Sequence, residues 1–231
     1  MGDLQICQLG LVPYAEALAL QERLREARIA GRIDDTLLLL EHPPVVTRGR
    51  RSRPEELLLG EDFLRAQGFD VVTTQRGGLA TYHGPGMLVG YPIVRTDDVV
   101  GYLRCLELAI VAALAEQGVD AHQRESTPDE NLTGVWVGGN RKIASLGVHL
   151  SRGVAIHGFA IGADNDLEPW SWFTACGLPS VTMTNVAAET GRTGTLAPLR
   201  ASIGAHVARE LGLTPRVVEP TVVTAATTQP A

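Results

Sequence analysis

The chain has 231 residues, 45% hydrophobic and 20% charged, which suffices for a real core and excludes a disordered, collagenous or coiled-coil protein. Its net charge of −6 argues against a general nucleic-acid binder, which needs a basic excess to neutralise phosphate. No apolar run is long enough for a membrane span, the three cysteines (Cys7, Cys105, Cys176) show no zinc or disulfide spacing, and the N-terminus has no secretory pattern. A cytoplasmic protein with no metal and no cofactor is expected.

In chain order, Leu4 to Leu9 reads as a short strand. Pro13 suits a helix start, and Ala17, Leu20, Leu24 and Ala27 recur at 3-4-3 spacing up to Gly31, which ends the helix. Thr36 to Leu40 is a buried strand, closed by Glu41-His42-Pro43-Pro44; a basic loop with Arg48, Arg50, Arg51 and Arg53 follows. Glu61 to Gln67 reads as a short helix, and Phe69 to Thr74, Thr81-Tyr82 and Leu88 to Val94 as strands. Val99 to Gln117 is the clearest helix, with Leu103, Leu106, Ile110 and Leu114 as its buried stripe and Gly118 as its end. Gly134 to Val137, Lys142 to Leu150 and Val154 to Ile161 are three strands with Gly-rich turns, a meander. Pro198 to Leu211 is a last helix and Arg216 to Val218 a last strand; residues 221–231 are expected to fray, leaving one domain over 1–220. Strands and helices come in blocks and not in strict βαβ alternation, so the fold class is α+β (mixed α/β).

Fourteen of the 25 glycines lie between Gly77 and Gly162, which locates a site in the middle third, because glycine lets backbone approach a ligand. Arg76-Gly77-Gly78-Leu79-Ala80-Thr81-Tyr82-His83-Gly84-Pro85-Gly86 sets polar side chains in such backbone, as a pocket wall requires; it lacks the Lys-Ser/Thr ending of a phosphate loop. Lys142 is the only lysine beside 19 arginines, and a lysine can give up its proton where an arginine cannot. It opens Lys142-Ile143-Ala144-Ser145-Leu146-Gly147-Val148-His149, in which strict alternation sets Lys142, Ala144 and Leu146 on one face and Ile143, Ser145 and Gly147 on the other. Cys176, followed by Gly177, is a candidate nucleophile that would need a nearby cation or base. His83, His149 and His157 leave a Cys–His hydrolase open, or serve as satisfied structural histidines. No His spacing suits a metal.

The ordered set of Leu40-Glu41-His42-Pro43-Pro44, the Arg76–Gly86 motif, Lys142-Ile-Ala-Ser-Leu-Gly, His157-Gly158, Asp166-Leu167 and Cys176-Gly177 resembles the lipoyl(octanoyl) transferase family. The resemblance implies the biotin/lipoate protein ligase-like fold, a mixed central sheet flanked by helices with a second small sheet. It implies Cys176 as acyl-accepting nucleophile and Lys142 as its partner. The implied acyl pocket comprises Arg76 to His83, Ser145 to Gly147 with His149, and Gly158, Phe159 and Ala160. Octanoyl-acyl carrier protein is the implied donor, which the basic loop could dock. Lipoyl domains of 2-oxoacid dehydrogenase complexes and the glycine cleavage H protein are the implied acceptors. An ATP-dependent lipoate or octanoate ligase of the same fold is the alternative. Met87 and Gly162 stand where the family commonly has Gln and Asn.

Overall fold

The computed structural model describes residues 2–127, 130–173 and 181–225. The chain runs through β1 (Asp3–Leu11), α1 (Tyr14–Ile29), β2 (Asp35–Glu41) and β3 (Val45–Arg48). After a 3₁₀ turn at Pro54–Glu56 come α2 (Gly60–Ala66), β4 (Asp70–Thr73), β5 (Ala80–His83), β6 (Met87–Arg95) and α3 (Val99–Glu116). Next are β7 (Ala121–Gln123), β8 (Gly134–Val137), β9 (Arg141–Ser151) and β10 (Val154–Gly162), then a 3₁₀ turn at Glu168–Trp172. The described chain ends with β11 (Thr182–Met183), α4 (Val186–Thr190), α5 (Leu196–Glu210), β12 (Thr214–Val218) and α6 (Pro220–Ala225).

The large sheet has the order β12-β1-β2-β6-β10-β9-β8-β7, with β11 alongside β9, and a separate three-stranded sheet has the order β4-β3-β5. Strands β12, β1 and β2 are parallel to one another, successive strands from β2 through β6, β10, β9 and β8 to β7 pair antiparallel, and β11 runs parallel to β9. The expected mixed sheet with a small second sheet is therefore present. Its interior strands need both faces covered, and β2 states this directly in its run of leucines. Leu37 and Leu39 enter a core built with α3 and α5, while Leu38 and Leu40 enter a core built with α1 and the small sheet. Pro215, which has no N–H to donate, sits on the edge strand β12.

Helix α3 begins at Asp98, whose carboxylate accepts the Gly101 N–H at 2.9 Å. Its buried stripe is Tyr102, Leu106, Ala109, Ile110, Ala113 and Leu114. Leu103 is only half-buried, because the stripe is centred one position earlier, on Tyr102. The tail also differs from expectation. Residues 220–225 form α6, and Val223 anchors it in the α1-side core while Val222 beside it is exposed; residues 226–231 lie outside the described residues. Among the described residues no helix is long and apolar enough to cross a membrane.

Candidate active site

A cavity of about 730 Å³ opens between the large sheet and the small sheet. Strand β5 supplies one wall by its period-2 alternation. Thr81 and His83 line the cavity, whereas Ala80 and Tyr82 turn to the other face, where Tyr82 packs on Phe69 and Trp170. Arg76, Gly78 and Leu79 add the lip before β5. The Arg76 guanidinium is buried and clamped on β3: Nε and Nη2 donate to the Thr47 hydroxyl at 3.0 and 2.7 Å, and Nη2 donates to the Thr47 carbonyl at 2.5 Å. The glycines here answer a steric demand. A Cβ on Gly49 would lie 2.4 Å from the Gly78 carbonyl, and one on Gly147 would lie 2.8 Å from the Gly77 carbonyl. Gly77 itself holds the lip to β9 through its N–H on the Val148 carbonyl at 3.0 Å and does not line the cavity.

Strand β9 supplies the facing wall, and it is not regular. Trp136 pairs with Lys142 but Val135 pairs with Ala144, so Ile143 is an extra residue, a β-bulge. Ile143 and Ala144 both join the α3/α5 core. Beyond the bulge Leu146, Val148 and Leu150 pack toward that core while Ser145 and Gly147 line the cavity. The bulge switches the parity, so Lys142 lines the cavity together with Ser145 instead of facing away from it. Strict alternation had set these two on opposite faces. Lys142 is not a solvated surface residue: it is 2% exposed, and its Nζ donates to the Thr133 carbonyl at 2.9 Å and lies 5.1 Å from the centroid of the Trp136 ring.

Strand β10 closes the floor. It pairs with β6 at Ala155 opposite Val94 and again at Phe159 opposite Gly90. Between them stands Pro92, which lacks an N–H, and His157 adopts φ 59°, a left-handed conformation uncommon outside glycine. The His157 N–H is taken by Oε1 of Gln21, a buried polar residue of α1, at 2.8 Å. Gly158 and Ala160 line the cavity; a Cβ on Gly158 would lie 2.3 Å from the Gly90 carbonyl. Leu146 and Phe159 border the cavity although their side chains pack with the α3/α5 core.

A cluster of neutral aromatic and imidazole rings underlies this floor. His42 bonds the Val12 carbonyl through Nδ1 at 2.6 Å and the Tyr91 hydroxyl through Nε2 at 2.7 Å, and it sits edge-on to His83 with centroids 5.7 Å apart. Tyr14 stacks on His83 and donates its hydroxyl to Thr74. Burial, which disfavours the charged form, lowers His42 to about 4. Burial and then the Arg76 guanidinium lower His157 to about 3. His83 is held well below the ordinary range by burial, then by His42 and Arg76. All three imidazoles are therefore neutral at pH 7 and unsuited to stabilising a thiolate as imidazolium.

The structure thus brings Arg76, Gly78, Leu79, Thr81, His83, Lys142, Ser145, Leu146, Gly147, Gly158, Phe159 and Ala160 to one cavity. Gly77, Ala80, Tyr82 and His149 do not line it; His149, past the bulge on β9, contributes to the lowering of His157 after burial and Arg76. Cys176 lies outside the described residues. Arg51 and Arg53 of the basic loop reach the cavity, while Arg48 pairs with Glu61. Sequence reasoning missed Tyr14, Gln21, Thr47, Tyr91 and Glu107. The available signal was polarity in an apolar stripe, at Gln21 beside Leu20 and Leu24 and at Glu107 beside Leu106 and Ile110. Among the described residues no group of three His, Cys, Asp or Glu side chains could hold a metal ion.

Residues 13–208 match the lipoyl protein ligase A/B catalytic domain family. An octanoyltransferase of Solibacter usitatus is 49% identical over 175 residues, 74% of this chain and 77% of that protein. A solved bipartite lipoate protein ligase from Thermoplasma acidophilum superimposes with a TM-score of 0.76 at 19% identity, covering 98% of this chain and 91% of that one. Biotin protein ligase from Aquifex aeolicus shares the fold more distantly, at a TM-score of 0.52 and 14% identity, over 92% of this chain and 70% of that one. The arrangement of the two sheets and their helices is that of a biotin/lipoate ligase-like fold, and the chain belongs to the octanoyltransferase family, acyltransferases of protein lipoylation.

Proposed function

We propose that the protein transfers an octanoyl group from acyl carrier protein to a lysine ε-amine of lipoyl domains, through a thioester on Cys176. The observation that carries this reading is Lys142, the chain's single lysine, buried with its amine fixed at the cavity wall. The acceptors are lipoyl domains of 2-oxoacid dehydrogenase complexes and the glycine cleavage H protein.

The Lys142 ammonium favours the Cys176 thiolate by Coulomb attraction. The thiolate attacks the octanoyl carbonyl, a new C–S bond forms and the bond to the carrier sulfur breaks; the carrier thiol leaves with the proton that the Lys142 ammonium gives up, which leaves Lys142 neutral. The chain lies between Thr81 and His83 on one side and Ser145, Gly147, Gly158 and Ala160 on the other, where glycine and alanine leave room for methylenes. The imidazoles below the chain are neutral at pH 7 and add no charge there. The acceptor amine, with an ordinary pKa of about 10.4, then attacks the Cys176 thioester and gives its proton to neutral Lys142. The C–S bond breaks, and the amide product leaves without ATP. Arg51 and Arg53 at the cavity edge favour approach of an acidic carrier in a salt-sensitive way.

Intact mass after mixing with octanoyl carrier protein tests the reading. One octanoyl adduct is expected on the native chain and none on Cys176→Ala; a full adduct on Cys176→Ala would refute the nucleophile. Lys142→Arg keeps the charge but not the proton transfer, and should cost at least about a hundredfold in transfer rate. Adduct-free modification of the lipoyl domain that requires ATP and free octanoate would support a ligase instead.

A further inference from the structure

Glu107 is a carboxylate in the middle of the apolar stripe of α3, 1% exposed. A charge so placed is costly unless it is paired and hydrogen-bonded. Its charge partner is Arg104, one turn earlier, with Nη1 2.7 Å from Oε2. Gln123 Nε2 donates to the same oxygen at 3.3 Å. The other oxygen, Oε1, accepts the backbone N–H of Gly134 at 2.7 Å.

Gly134 is the first residue of β8, and this stretch of backbone is what holds Lys142. The Thr133 carbonyl, the other end of the same peptide group, accepts from Lys142 Nζ at 2.9 Å. The lysine stem passes directly over Gly134: a Cβ there would lie 2.4 Å from Lys142 Cε and 3.0 Å from Nζ. Gly134 also has φ 146°, a conformation that L side chains rarely adopt. The peptide is thus pinned from below by Glu107 while it seats the amine above. The Trp136 ring flanks the same amine, and the Trp136 Nε1–H bonds the Leu132 carbonyl at 2.9 Å, closing the turn before β8.

We propose that Glu107 is a positioning residue for Lys142: through the Gly134 N–H it sets the peptide whose Thr133 carbonyl aims the Lys142 amine into the cavity. The consequence for catalysis rests on the reading of Lys142 as proton carrier. The hold on the amine itself does not. Nothing in this role calls for Glu107 to touch substrate. Its negative charge serves burial through Arg104, and its Oε1 serves geometry.

The single lysine makes the test specific, because an amine-reactive ester labels only Lys142 and the N-terminus, which peptide mass separates. Glu107→Asp keeps the charge for Arg104 but is one methylene too short to reach Gly134. It should raise the Lys142 labelling rate at least threefold at fixed pH and shift the pH at which labelling is half-maximal. It should also slow octanoyl transfer about tenfold or more with the donor KM within twofold, as expected when a proton-transfer group is displaced by about 1 Å. Glu107→Gln, which keeps an oxygen for the Gly134 N–H, should restore labelling and transfer to within threefold of the native chain. Native labelling in folded Glu107→Asp would overturn the inference whatever Lys142 does in the reaction. Damage in the Gln variant as large as in the Asp variant would also overturn it, since an oxygen kept for the Gly134 N–H would then not hold the amine. Full transfer activity in Lys142→Arg, with altered labelling in Glu107→Asp, would instead leave the hold on the amine intact and overturn the proton-carrier reading.

Discussion

The two faces of the large sheet are built by different rules. The face under α3 and α5 is almost wholly apolar, with Leu37, Leu39, Leu106, Ile110, Ile161 and Ile203 packed at regular spacing. The face toward the cavity carries the departures from regularity: the bulge at Ile143, the left-handed His157, the clamp of Arg76 on Thr47, and glycines at 147 and 158 where a Cβ would strike backbone. The first face supplies stability, because burying an aliphatic side chain gives roughly 1.5–3 kcal/mol. The second gives up regular pairing to bring polar groups and close backbone around a cavity. A fold can carry this asymmetry when the stabilising layer and the functional layer share strands but few side chains, here Leu146 and Phe159.

That division predicts separable effects. Ile110→Ala on the helix-covered face should cost about 2–5 kcal/mol of stability, measured by urea unfolding, and leave transfer per folded molecule unchanged. A parallel loss of kcat would mean that the two layers are coupled. Gly147→Ala on the cavity face puts a Cβ 2.8 Å from the Gly77 carbonyl and pushes the Arg76 lip outward. About 1–3 kcal/mol of destabilisation is expected, with transfer per folded molecule down roughly tenfold.

A pH effect is expected from the histidines of the cavity face. His42 and His157 titrate near 4 and 3 in the folded chain, against 6.5 when exposed, so between pH 6.5 and those values the unfolded chain binds more protons. Stability is complete above pH 6.5 and falls as the pH drops, by up to roughly 1.4 kcal/mol per pH unit for each histidine. Neither His157 ring nitrogen has a hydrogen-bond partner among the described residues, so His157→Phe sacrifices no bond. It should flatten the acid limb of Tm against pH by one histidine's share, and an unaltered limb would assign the titration to other groups. The smallest effect is expected at the exposed Arg209–Glu210 pair, where Arg209→Ala should change stability by less than about 0.5 kcal/mol.

Much of the buried core on both sides of the sheet was legible in the sequence. The 3-4 spacing of Ala17, Leu20, Leu24 and Ala27 and of Leu106, Ile110 and Leu114 is a local signal, and all seven side chains are buried. The cavity wall at Arg76 to His83 was legible as a motif, yet only alternate residues of β5 face inward. Glu107 was not legible as a site residue. A single charge within an apolar stripe has no meaning until the partner strand is known.

Lys142 marks the boundary between what is local and what is not. The amino-acid sequence alone determined that one lysine stands among 19 arginines at the head of a small-residue strand. It also determined the period of the elements on either side, since periodicity is a property of adjacent residues. Only the tertiary structure decided which way that lysine faces. The decision depends on an extra residue in the pairing of β9 with β8, and on a carboxylate 27 positions from the glycine it holds, on the neighbouring helix. Strand register and buried polar contacts are agreements between distant segments, and a one-residue offset in them moves a side chain from one face of a sheet to the other.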